Sequence, residues 1–269
     1  IGAFSDKNAG VGKTVTITSS YSGSDVSNYS VTDQSSTTAN ITAKSLTVSG
    51  ITASDKTYDG SVTVTMNGNS AVYSGLVSGD TFNGTYTGVF SNANVGSGKT
   101  VTITSSYAGA DVNNYSVTDQ STTTADISAK ALTATASASN KTYDGGTTAS
   151  TTLTFTGLVG SETLGQTVGS TFDNKNVGSN KTVTVNSITL GNGSNGGLAA
   201  NYSISTGQTT TANITAKSLT VSGITASNKT YNGNAVATLN TGSVAYSGLV
   251  DGDTFNGTYT GAFSDKNVG

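Results

Sequence analysis

Cysteine, proline, tryptophan and histidine are all missing from the 269 residues, and methionine occurs once. Without cysteine there are no disulfides, no thiol catalysis and no thiolate metal sites. Without histidine, a Ser/His/Asp nucleophilic set lacks its base. Charge is scarce, at 10% of residues with a net of −3. All twelve cations are lysine, and Glu162 is the only glutamate. A weakly acidic chain without arginine is poorly suited to nucleic acid, where clustered basic side chains meet phosphate. No apolar run approaches the length needed to cross a bilayer, and no stretch has the pattern of a signal peptide. Hydrophobic residues make up only 33%. Disordered chains with so little apolar content are typically charged or proline-rich, which this one is not.

What is present is repetition. The stretch Ile41–Gly60 returns as Ile127–Gly145 and again as Ile214–Gly233, and its lysines Lys44, Lys130 and Lys217 stand 86 and 87 residues apart. A period of that size is a whole small domain, so the sequence reads as an array of similar modules. The predicted division is a C-terminal half-module at 1–43, complete modules at 44–129 and 130–216 (the latter a variant type), and an N-terminal half-module at 217–269. Residues 41–96 align without a gap to 214–269, whereas the middle copy carries an insertion around Gly191–Gly197. Gly2-Ala-Phe-Ser-Asp-Lys-Asn-Ala-Gly10 opens the chain in nearly the phase in which Gly261-Ala-Phe-Ser-Asp-Lys-Asn-Val-Gly269 closes it. With a start at Ile1, this predicts a window on a longer polymer.

Within a module the pattern is that of strands. Val15 and Ile17 alternate with Thr14 and Thr16, the period-2 signature of a half-buried strand. Asn28-Tyr-Ser-Val-Thr-Asp-Gln34 and its copy from Asn114 read as further strands. The apolar phase flips between Ile41 and Leu46, which places a short, stiff joint at Lys44–Ser45. Asp59-Gly60 predicts a tight turn, and Phe82-Asn83-Gly84-Thr85-Tyr86 a two-residue hairpin, replaced by Leu164-Gly165-Gln166-Thr167 in the middle copy. No window has capped 3.6-residue apolar spacing. The expected fold is therefore all-β: a tandem array of immunoglobulin-like antiparallel β-sandwich modules. A β-grasp-like module is the alternative, and it needs a helix. A β-solenoid would repeat far faster.

Lys56-Thr-Tyr-Asp-Gly60, Gly75-Leu-Val-Ser-Gly-Asp-Thr81, Asn114-Tyr-Ser-Val117 and Ala125-Asp-Ile-Ser-Ala-Lys130, in that order, resemble the YDG/MBG-type repeats of large filamentous-haemagglutinin-like bacterial adhesins. The likeness covers essentially the whole chain. It implies a secreted or surface-anchored protein whose modules form a stalk or fibre, and it offers no catalytic residues. The third copy departs from it with Tyr231-Asn232-Gly233, which tells against an essential carboxylate at that place.

The chemical readings are thin. Asp251 and Asp253 are close in sequence, but their earlier counterparts are Ser78 and Asp80, so a turn of solvated acids is expected rather than a paired-carboxylate site. No acid-rich calcium loop with a distal glutamate is present. A Lys–Asn crosslink would draw on Lys56, Lys141 and Lys229 with Asn94, Asn176 and Asn267. The expected role of these lysines is instead to blunt sheet edges. Tyr29, Tyr58, Tyr86, Tyr115, Tyr143, Tyr202 and Tyr231 suit core packing better than sugar stacking. No catalytic, cofactor-binding or metal-ligating residue is assigned, and no cofactor is expected.

The expected function is structural and non-enzymatic: the shaft of a bacterial surface adhesin or extracellular filament, serving adhesion or a biofilm matrix. The composition, poor in helix formers and rich in Ser, Thr, Asn and Gly, fits an extracellular, cell-surface location. The expected partners are adjoining repeats and neighbouring copies in a fibre, with no nucleic acid and no membrane-spanning segment. The alternative is a glycan-binding module for host or matrix sugars. The half-modules at both ends are expected to be completed by adjoining chain or by a neighbouring copy.

Overall fold

A computed structural model describes residues 1–269, all of them, as strands and turns. Its helical segments are 3-10 turns of three residues each, at Val26–Asn28, Val112–Asn114 and Ala199–Asn201. The fold is all-β, and the helix that a β-grasp module requires is not formed. No helix is long and apolar enough to cross a membrane. The chain divides into two compact units: Ile1–Lys130 with Ala200–Tyr202, and Ala131–Ala199 with Ser203–Gly269.

In the first unit, the repeat at 44–129 is a two-sheet sandwich. One sheet runs Lys56–Thr57, Thr122–Ser128, Gly96–Ala108, Asn83–Phe90, Thr63–Val64, and the other Tyr115–Thr118, Lys44–Ser49, Val72–Ser74. Between them lie Leu46, Val48, Ile51, Phe82, Val101, Ile103, Tyr115 and Ile127, all buried. The period-2 alternation is visible in the strand Lys44–Ser49, where Leu46 and Val48 are buried and their neighbours exposed. Each sheet contains one parallel pair where a wholly antiparallel sandwich was expected. Tyr115–Thr118 runs parallel to Lys44–Thr47, and Ile127–Ser128 parallel to Lys56–Thr57. Parallel neighbours need a long crossover rather than a hairpin. Here the crossover is most of the module itself, so the last strands close onto the first.

The hairpin expected at Asn83-Gly84 is not there. Asn83 pairs with Ala108 and Gly84 with Tyr107 inside a strand that continues to Phe90, and the reversal comes at 91–95. Gly84 is present for space. A Cβ on it would stand 2.2 Å from the Tyr86 hydroxyl and 2.8 Å from that of Tyr73. These two hydroxyls hydrogen-bond to each other at 2.9 Å. The middle copy uses Leu164–Phe172 as the same strand, paired with Gly178–Asn192, so it is not built on a different plan.

In the repeat at 130–216, Lys141–Thr142, Thr209–Thr215, Gly178–Asn192, Leu164–Phe172 and Thr148–Ala149 form one sheet, and Thr151–Thr156, Lys130–Ala138 and Tyr202–Ile204 the other. Ala149, Phe172, Val183, Ala212 and Ile214 pack together beneath Ala138 and Tyr143.

The end repeats are partial. Residues 1–43 keep the sheet Gly2–Phe4, Gly10–Ile17, Ser36–Ile41. Residues 217–269 keep three two-stranded pairs, Thr220–Ser222 with Ala245–Ser247, Thr225–Ala226 with Leu239–Asn240, and Val236–Ala237 with Gly261–Ala262. The segment Tyr29-Ser-Val-Thr32 has the sequence of the strand Tyr115–Thr118 but forms no strand. Its parallel partner, the counterpart of Lys44–Thr47, does not accompany it.

Candidate functional site

The motif that opens each repeat builds a lysine clasp. Lys56 Nζ donates to Asp59 Oδ1 at 2.7 Å, to the Ser61 carbonyl at 2.7 Å and to the Thr63 carbonyl at 3.0 Å. An ammonium has three protons, and all three are used. Lys141 repeats the arrangement on Asp144 at 2.7 Å and on the carbonyls of Gly146 at 2.8 Å and Thr148 at 3.1 Å. Each ammonium also lies near a ring, 5.7 Å from the centroid of Phe90 and 5.6 Å from that of Phe172, a cation–π distance. The turn is shaped by its glycine, since Gly60 and Gly145 have φ of 78° and 81°. The Lys56 ammonium holds the Asp59 carboxyl below its usual range, as Lys141 does for Asp144. In the third copy, Lys229 takes neutral oxygens instead, Asn234 Oδ1 at 2.9 Å and the Asn234 and Val236 carbonyls at 2.6 and 3.0 Å, beside Phe263 at 5.7 Å. The clasp needs the lysine, and its carboxylate can be replaced.

The second recurring feature joins one repeat to the next. In the first unit the loop Lys7-Asn8-Ala9 seats on the 3-10 turn before Tyr115. The Ala9 N–H donates to Asn114 Oδ1 at 2.8 Å, and Asn114 Nδ2 donates to Asn8 Oδ1 at 3.3 Å. Lys7 Nζ stands 3.2 Å from Asp80 and 3.0 Å from Asp111. Those carboxylates are themselves fixed: Asp80 accepts the Tyr115 hydroxyl at 2.6 Å, and Asp111 accepts the Thr81 N–H at 2.9 Å. The Thr81 N–H, and then Lys7, hold the Asp111 carboxyl below its usual range, while Asp111 and Asp80 raise the Lys7 ammonium.

The same unit contains a second version of this joint, at Ala200–Tyr202. The Val95 N–H donates to Asn201 Oδ1 at 2.9 Å, and Asn201 Nδ2 to Asn94 Oδ1 at 3.1 Å. Asn201 is 1% exposed, so its amide depends on these partners. Tyr58, from the turn held by Lys56, meets Tyr202 edge-on at 5.4 Å. The second unit shows part of a third joint. Lys175, at the repeat position of Lys7, stands 3.5 Å from Asp253, at the position of Asp80, and Tyr143 donates its hydroxyl to Asp253 at 2.8 Å. That bond pushes the Tyr143 hydroxyl above its ordinary range.

Several sequence expectations change on this geometry. Lys56 and Lys141 do not blunt sheet edges, for their side chains are only 16% and 17% exposed. Of the Lys–Asn crosslink pairs, Lys229 and Asn267 line one cleft. The lysines are taken up by their own turns, and Asn94 by Asn201. Asp253 is not a solvated turn acid, because it faces the joint. Tyr58, Tyr115 and Tyr202 are buried, Tyr86 and Tyr143 half-buried, and Tyr29 and Tyr231, in the end repeats, exposed. The asparagines of the joint were not anticipated. Their signal was present in the recurrence of Asn-Ala/Val-Gly at Asn8, Asn94, Asn176 and Asn267 and of Asn-Tyr at Asn28, Asn114 and Asn201.

The fold and these two devices define a class: tandem β-sandwich modules in which the recurring polar chemistry holds turns and joints. The YDG domain model matches residues 42–125, 128–212 and 215–269. The chain belongs to the YDG domain family. No curated protein and no solved structure matches it.

Proposed function

We propose that this chain is a length of shaft from an extracellular bacterial adhesin or filament, non-enzymatic, with its repeats held in line by the joint. The supporting observation is the recurrence of one docking chemistry. An Asn-x-Gly loop meets an Asn-Tyr turn at Asn114 and again at Asn201, and the Lys7–Asp80 contact has a counterpart in Lys175–Asp253. Independent domains on loose linkers have no need of a buried asparagine between them. The inward packing of Tyr58, Tyr115 and Tyr202 favours a shaft over a sugar-stacking platform.

Solution scattering tests the reading. A compact body of 269 residues would have a radius of gyration of roughly 18 Å. The shaft predicts a value well above that, with a cross-section of one module. A compact radius, or saturable binding of this chain on a glycan array, contradicts it.

A further inference from the structure

We propose that the repeat at 130–216 closes one of its own hairpins with a covalent bond: an amide between Lys181 Nζ and Asn174 Cγ, formed within the chain with loss of ammonia. This pair is not among those the sequence suggested. Lys181 ends a bulge that begins at Gly178, where the register against Thr209–Thr215 shifts. Its stem lies over Gly178, whose added Cβ would stand 3.4 Å from Lys181 Cγ and Cδ, and the side chain is only 9% exposed. Nζ is thereby held 2.7 Å from Asn174 Oδ1 and 3.0 Å from Asp173 Oδ1. Asn174 Nδ2 donates to the other oxygen of Asp173 at 3.3 Å. One carboxylate thus touches both the amine that attacks and the nitrogen that leaves. The Asn176 N–H donates to Asn174 Oδ1 at 3.0 Å, where negative charge develops in the step. A nucleophilic amine, a base within its reach and a donor for the oxyanion are the parts the chemistry requires.

The step balances without any further reactant. The Lys181 ammonium holds the Asp173 carboxyl below its usual range, so Asp173 enters as a carboxylate base. It takes one proton from the ammonium, and the free amine adds to Asn174 Cγ. The Asn176 N–H holds the charge on Oδ1. Asp173 passes its proton to Nδ2, the Cγ–Nδ2 bond breaks, and the new amide nitrogen sheds a second proton to the departing ammonia. Ammonium leaves, the carboxylate is restored, and nothing is oxidised or reduced. The other copies of this hairpin each lack a part. Lys99 Nζ meets Asn92 Oδ1 at 2.8 Å, and the Asn94 N–H donates to the same oxygen at 3.0 Å, but Ser91 stands at the place of Asp173. Lys13 meets Asp6, a carboxylate with no ammonia to lose. The bond therefore forms in the repeat at 130–216 and not in its neighbours.

The test is the intact mass of the purified full chain, which should fall short of its sequence mass of 26.7 kDa by a single ammonia. Trypsin does not cut after an acylated lysine, so a digest should contain one branched product joining residues 142–175 to 176–217. Lys181→Met should restore the full mass. Asp173→Ser, which puts at that place the residue found before Asn92, should also restore it while leaving the circular dichroism of the chain unchanged. A succinimide at an Asn-Gly step loses the same ammonia but leaves trypsin free to cut after Lys181, and a map of that kind overturns the proposal. So does a parent chain at full mass, or a second ammonia lost between Asn92 and Lys99. None of these outcomes bears on the shaft reading, which rests on the joints.

Discussion

At the scale of single residues, the lysine of the clasp is the group whose loss should be felt most. Lys56→Met keeps the aliphatic stem against Phe90 but leaves the carbonyls of Ser61 and Thr63 without their donor. Charge-assisted hydrogen bonds of this kind are worth about 2 kcal/mol in total, and urea unfolding should show a loss of that order. Asp59→Asn should cost less than about 1 kcal/mol, because its ion pair is half exposed and Asn232 already stands at that place in the third copy. The carboxyls also set an acid limit. Asp59, Asp111 and Asp144 all titrate below their ordinary value in the folded chain. A depressed folded pKa stabilises above the unfolded value, about 3.9, and the stabilisation is lost as pH falls through the folded one. Melting temperature should thus hold steady down to about pH 4 and decline below it, as calorimetry would record.

At the scale of elements, the strands were legible and the reason for some of their glycines was not. Alternation at Val15 and Ile17, and the flip of phase before Leu46, followed from side-chain period alone, and both lie in strands. Asn83-Gly84 misled because local turn chemistry competes with tertiary packing, and here packing of the Tyr73–Tyr86 pair required the missing Cβ. Gly84→Ala should destabilise the repeat by about 1–3 kcal/mol through overpacking, measured by thermal or urea unfolding. The clasp was half legible: the recurrence of Lys56-Thr-Tyr-Asp-Gly60 marked the place, but a lysine turned inward onto carbonyls leaves no periodic signature. The parallel strand pairs were invisible for a similar reason. A strand's own sequence does not say which neighbour it will adopt, as Tyr29–Thr32 and Tyr115–Thr118 demonstrate with identical residues.

At the scale of the molecule, the period near 86 residues announced an array, while the means of holding neighbours together had to come from the structure. Asn114 and Asn201 do it with a single amide, accepting a backbone N–H and donating to another asparagine. The Asn201 amide, 1% exposed, would be costly to leave unpaired. The most direct test is the distance distribution between spin labels at Ser22→Cys and Asn69→Cys, two exposed positions on either side of the first joint. The intact chain should give one narrow distance. Asn114→Ala should broaden it without lowering the melting temperature of the complete repeats. A distribution already broad in the intact chain would mean that the repeats hang freely, and the account of a joint-stiffened shaft would be wrong.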